Sequence, residues 1–359
     1  MNLSSISLRK ISFWLLPPIF NRFYDYLYLK ILGQSPLNKN TYSGQAVLTD
    51  LKAKKFSYFF DERVIEEFCD EMSKDNKLNR PIETKNSENQ VYLNDLVENG
   101  VCVIRGLFDK EIVNQEHTSL TTLLDPLKAR TEELVAEQGE DSGLNVSEEH
   151  FGLKTDFELM SKIMRVWGID RVQKNLALFK EDATVLDICR SYFGGNMGSA
   201  NLYAEYKYDS NSYDPNFQLH SDSPFRQLKV FMLLNDIGEE NAPLVYYRKS
   251  HKVEDWRVMK DLIDFTNYNK KYNFSFGFGK LAMTKMAKKF PHLTSPEMLV
   301  TGKAGDVIIC ETRGVHGGSP LLEGHRLQLG MVFQALGTAD IGNISSRVKS
   351  LTANSVSVG

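Results

Sequence analysis

Apolar and polar positions change rhythm along this chain. Val64, Ile65, Phe68, Cys69 and Met72 recur at helical spacing behind Asp61, which predicts a capped helix. Asp182 opens another, with Val185, Ile188, Cys189 and Tyr192 on one side and Gly194-Gly195 as its stop. Between them, Tyr92 to Leu107 predicts a short helix, a stop at Gly100 and a strand over 101–105. Lys74 to Gln90 is polar and reads as a linker. Thr131 to His150 holds seven Asp and Glu residues and no Lys or Arg, the pattern of a solvated, mobile loop.

After Gly195 the period drops to two. Asn201, Tyr203, Glu205 and Lys207 alternate with Leu202, Ala204, Tyr206 and Tyr208. Val230 to Leu234 is a buried strand, and 244–247, 307–310 and 327–334 complete a β-rich second half of sandwich or jelly-roll type. Between His251 and Thr301 the strands stop, and two helices are expected around the aromatic-glycine run 273–279. The segment Trp256 to Pro296 carries eight Lys and Arg against two Asp, so a lid favouring an anionic substrate is one expectation for it.

Composition narrows the function. Hydrophobic residues at 42% and charged residues at 25% exclude a disordered chain. A net charge of -3 argues against a dedicated nucleic-acid binder. No apolar run reaches the roughly 18 residues of a membrane span. Cys69, Cys102, Cys189 and Cys310 are far apart and read as small core residues of a protein in a reducing compartment. Residues 1–24 combine Arg9, Lys10 and Arg22 with a short apolar stretch broken by Pro17-Pro18. They read as a helix packed on the protein or, at most, as a weak contact with a membrane surface, not as a cleaved signal.

The histidines carry the chemistry. In extended backbone, His220 and Asp222 point to the same side and can grip one metal ion. His316, after the 307–310 strand, is the candidate third ligand; His325 is a rival, but its neighbour Arg326 then takes the opposite face. Two imidazoles and one carboxylate leave positions open, as in non-haem Fe(II) oxygenases. Such enzymes often bind 2-oxoglutarate, and Arg326, on one strand face with Gln328 and Gly330, is placed to pair with its distal carboxylate.

From about Tyr92 to Leu336 the chain resembles the phytanoyl-CoA dioxygenase family of Fe(II)/2-oxoglutarate oxygenases. The resemblance lies in 96–106, 182–194, His220-Ser-Asp222 followed by 228–236, Ala242-Pro243-Leu244, Ser250-His251-Lys252, Gly305-Asp306, His316 and Arg326. It implies a double-stranded β-helix, a jelly-roll or cupin-like barrel, mainly β with flanking helices. It implies Fe(II) held by His220, Asp222 and His316, with 2-oxoglutarate held by Arg326, and Ser319, Tyr203 and Lys207 as further cosubstrate contacts. The family's Pro-Gly before Ser-His is Arg248-Lys249 here. Arg226 is a candidate substrate contact.

The expected organisation is a helical extension over 1–90, an oxygenase domain over 91–340 with a helical insertion at about 253–300, and a tail over 341–359. The expected activity consumes O2 and 2-oxoglutarate, releases succinate and CO2, and hydroxylates a C–H bond of a small-molecule substrate, anionic or lipid-like. The alternative is a non-catalytic jelly-roll protein that binds a ligand or metal. The expected location is the cytoplasm, in part at a membrane periphery.

Overall fold

A computed structural model describes residues 70–72, 74–75, 80–138, 145–209, 219–223, 225–252 and 297–337. All of these belong to one compact unit. Of the helix expected behind Asp61 only 70–72 and 74–75 are described, as helix with Met72 buried; the expectations for the N-terminal segment, the cationic stretch 256–296 and the tail lie outside the described residues.

Helix α1 (Gln90–Asn99) buries Leu93 and Leu96. It stops at Gly100, whose φ of 83° is left-handed, and whose N–H donates to Leu96 O. The chain then enters β1 (Val101–Ile104). Asp109 accepts from Glu111 N and Ile112 N to open α2 (Lys110–Leu124), which is followed by α3 (Pro126–Gln138). Strands β2 (Asn145–His150), β3 (Leu153–Glu158) and β4 (Ile163–Trp167) precede the short α4 (Ala177–Lys180) and α5 (Ala183–Tyr192), with Asp182 capping α5 through Val185 N. Seven further strands follow. They are β5 (Leu202–Lys207), β6 (Gln227–Leu233), β7 (Leu244–Tyr247), β8 (Glu297–Val300), β9 (Val307–Glu311), β10 (His316–Gly318) and β11 (Arg326–Gln334).

The strands form a large antiparallel sheet in the order β1-β9-β6-β11-β5-β4-β3-β2 and a small one in the order β10-β7-β8. Two-residue alternation gives the large sheet two distinct faces. Leu202, Ala204, Val230, Met232, Val307, Ile309, Leu327, Leu329 and Met331 join one core with residues of α1, α2, α3 and α5. Their sequence neighbours Tyr203, Phe231, Leu233, Ile308 and Cys310 join a second core with Val101, Tyr246 and Val300, of which Tyr246 and Val300 come from the small sheet. The architecture is therefore a jelly-roll barrel with helices packed on the outside of its larger sheet.

Several expectations change. Most of the acidic stretch from Thr131 to His150 is ordered structure: 131–138 ends α3 and 145–150 is β2. Leu134 and Val135 are buried. Arg130 gathers the outward acids, with N–O distances of 3.0 Å to Glu133, 3.4 Å to Glu137 and 2.7 Å to Glu148. The partner that makes this run tolerable lies one residue before it. The strand-rich region begins before Gly195, because β2, β3 and β4 extend the large sheet. Residues 80–90 are no linker: Ile82 N donates to Ser191 O at 3.0 Å, and Lys85 N and Asn86 N donate to Asp187 at 2.9 and 3.1 Å. The interval between His251 and Thr301 also contains a strand, since β8 pairs with β7. Cys102, Cys189 and Cys310 are buried and unbridged, as core residues should be.

Candidate metal centre

The two sheets meet at the metal cluster. His220 and His316 form an isolated antiparallel bridge, His220 N donating to His316 O at 2.8 Å and His316 N to His220 O at 2.9 Å. Asp222 N donates to Thr312 O at 2.9 Å, which fixes the loop two residues on. One donor atom each from His220, Asp222 and His316 lies within 4.8 Å of the others. His220 Nε2 is 3.5 Å from Asp222 Oδ1, and His316 Nε2 is 3.6 Å from Asp222 Oδ2.

The residues fit a metal ion. His316 Nδ1 lies 2.8 Å from Gly314 O, a contact that places the ring proton on Nδ1 and leaves Nε2 its lone pair. That Nε2 is buried and has no hydrogen-bond partner. A buried acceptor of this kind is costly unless something fills the space before it. The N, N, O donor set is the one that suits Fe(II). Asp222 supplies the charge: burial opposes its ionisation, but the Lys229 ammonium beside it outweighs burial and holds its carboxyl well below the usual range.

Around the cluster, the inner face of the large sheet is charged. Cross-strand register puts Gln328 opposite Glu205, and Glu205 opposite Arg165. Glu205 Oε1 accepts from Arg326 Nη2 and from Gln328 Nε2, both at 2.8 Å, and Oε2 accepts from Arg165 Nε at 2.6 Å. Burial pushes the Glu205 carboxyl up, but Arg165 and Arg326 outweigh it and bring it down to about 2. Arg326 also donates to Ala242 O, while its Nε is buried without a hydrogen-bond partner. Lys229, on β6, stands 2.7 Å from Asp222 Oδ2. His220, His316, Arg165, Glu205, Lys229 and Arg326 line one pocket, which Phe231, Leu233, Leu244 and Ile308 complete with apolar walls.

The other residues named from sequence fall in three places. Tyr203 lies in the inner core, its ring centroid 4.6 Å from that of Trp167. A side chain at Gly330, directly across, would collide with the Tyr203 ring. Lys207, in register opposite Arg326, donates to Ser161 O at 3.0 Å, and Ser319 Oγ donates to Pro243 O at 2.8 Å; neither lines the pocket. Arg226 lies over the Tyr192 ring, 5.4 Å from its centroid, and is not among the pocket residues. His325 turns away, its Nε2 2.9 Å from His117 Nε2. Sequence reasoning did not single out Arg165, Glu205 or Lys229. Their signal was a charge on the inward register of strands whose alternate positions are apolar.

A jelly-roll barrel with two histidines and an aspartate at its mouth and an arginine on the adjoining strand defines the class of non-haem iron oxygenases. The sequence profile of phytanoyl-CoA dioxygenase (PhyH) matches residues 96–322, more than half of the chain, and the protein belongs to this Fe(II)/2-oxoglutarate-dependent family. No curated protein matches the chain. Similar solved structures include the epimerase SnoN in complex with Fe3+, alpha ketoglutarate and nogalamycin RO, at 12% identity, covering 69% of this chain and 84% of that one with a TM-score of 0.42. HygX from Streptomyces hygroscopicus with nickel and 2-oxoglutarate bound is 15% identical, covering 69% and 87%, with a TM-score of 0.43. AviO1 from Streptomyces viridochromogenes Tue57 is 13% identical, covering 70% and 96%, with a TM-score of 0.41.

Proposed function

We propose that this protein hydroxylates a C–H bond of a small-molecule substrate, anionic or lipid-like, in a reaction dependent on Fe(II) and 2-oxoglutarate. The observation that carries the reading is the buried, unpartnered Nε2 of His316 facing His220 and Asp222. Bound iron would supply oxygen activation coupled to the decarboxylation of 2-oxoglutarate to succinate. His220, Asp222 and His316 would hold the ion, and Gly314 O keeps the His316 ring in the ligating tautomer. Arg326, with its unpartnered Nε, would anchor the distal carboxylate of the cosubstrate while Glu205 and Ala242 O hold the guanidinium in place. Phe231, Leu233, Leu244 and Ile308 keep water from the pocket's inner wall. Among the described residues no helix is long and apolar enough to cross a membrane. A cytoplasmic location, with at most a weak membrane-surface contact through residues 1–24, is the accompanying proposal.

The test measures bound iron and aerobic succinate release together. Wild-type protein should hold about one Fe(II) per chain and release succinate from 2-oxoglutarate. His316→Ala should lose both while keeping its circular dichroism spectrum. A folded His316→Ala protein with undiminished iron would remove the assignment. Arg326→Ala should keep iron but raise the 2-oxoglutarate concentration needed for half-maximal succinate release, by about tenfold or more.

A further inference from the structure

Lys229 presses a cation against the one carboxylate of the metal cluster. It stands on β6 between Leu228 and Val230, both fully buried on the opposite face, so strand register directs its side chain into the barrel. Its Nζ is 2.7 Å from Asp222 Oδ2, an ion pair by distance, although that buried oxygen has no hydrogen-bond partner. The two oxygens of Asp222 are thereby made unequal. Oδ2 is shared between Lys229 and the side facing His316, and Oδ1 faces His220 Nε2 at 3.5 Å.

The pair has a consequence for charge as well as for shape. Asp222 is the only acid in the cluster of possible metal ligands found among the described residues. With Lys229 beside it, the ligand set and its neighbour together carry no net charge. A divalent ion placed there would keep its full positive field toward whatever binds next. The acid that lines the pocket, Glu205, is already committed to Arg165 and Arg326 and does not change this local balance.

We propose that Lys229 is a positioning residue which limits Asp222 to a single oxygen toward the metal and offsets its charge, trading hold on the divalent ion for hold on the anionic cosubstrate. The proposal rests on the Fe(II)/2-oxoglutarate reading above. It predicts opposite changes in two affinities, which a lysine serving only to stabilise the barrel would not produce.

The experiment titrates Mn(II) into metal-free protein, with free Mn(II) read by electron paramagnetic resonance, and then titrates 2-oxoglutarate into the Mn(II)-loaded protein. Lys229→Met should bind Mn(II) about tenfold more tightly and 2-oxoglutarate about fivefold or more weakly, because a charge beside the ion has been removed. Lys229→Arg, which keeps the charge, should stay near wild type in both. Should Lys229→Met fold poorly, Lys229→Gln carries the same test with a neutral donor. A folded neutral variant whose Mn(II) affinity is unchanged or weaker overturns the proposal and leaves the iron reading standing. Wild-type protein that binds no Mn(II) or Fe(II) overturns both.

Discussion

The two faces of the large sheet are built from the same strands and hold together by different physics. On the outer face, Leu202, Ala204, Val230, Leu327 and Leu329 pack against the helices at or near zero exposure, with no charge among them. On the inner face the same strands present Glu205, Lys229, Arg326 and Gln328, each tied to a partner on a neighbouring strand or loop. The outer face gains its stability from apolar area removed from water. The inner face gains little net stability from its ion pairs, since desolvation offsets much of the attraction. What it gains is a fixed arrangement of charges around three potential metal ligands.

That difference predicts unequal responses to mutation. The largest effect belongs to Glu205→Ala, which leaves Arg165 and Arg326 without their shared acid. The loss should be about 3–5 kcal/mol, read as a lower denaturant midpoint, because Arg326 would remain buried without an acid and Arg165 would keep only Glu158, 3.0 Å away. If Glu205→Ala costs less than about 1 kcal/mol, the interior charges are better solvated than their pairing suggests.

Leu329→Ala makes the complementary change on the outer face. It should cost about 2–4 kcal/mol through lost burial and an unfilled cavity. Its metal affinity should match wild type, since Leu329 faces the helices. A Leu329→Ala protein that loses iron in proportion to its stability would mean that the two faces are not independent.

Acid should separate the two contributions more gently. Burial lowers the His251 pKa to about 4 from an ordinary value of 6.5, so the unfolded chain takes up that proton first. Stability linked to His251 is present above pH 6.5 and falls as pH drops from 6.5 to about 4. Glu205, held down to about 2 from 4.5, contributes stability that is present above pH 4.5 and lost as pH falls toward 2. Urea midpoints measured against pH should therefore decline in two stages. His251→Gln should flatten the upper stage, and Glu205→Gln the lower one. The smallest effect is expected at Asp109→Ala, at an exposed position outside the pocket, where loss of the α2 cap should cost about 1 kcal/mol and leave iron and 2-oxoglutarate binding untouched.

Local signals carried much of this molecule. The caps at Asp182 and Gly100, the strands 307–310 and 327–334, and the shared side of His220 and Asp222 follow from short-range backbone geometry, and a period of two or a cap residue is visible in a few letters. The same alternation turned His325 away from Arg326, and the structure sends it to His117. Tertiary structure decided what pairs with what. Glu133, Glu137 and Glu148 found their partner in Arg130, beside the buried Leu134 and Val135. Arg165, Glu205 and Lys229 lie on three strands separated by long stretches of chain, and only sheet register brings them to one pocket. A sequence states which residue types are present and which side of a strand each takes. The partner of a buried charge is set by long-range strand pairing, which no local pattern encodes.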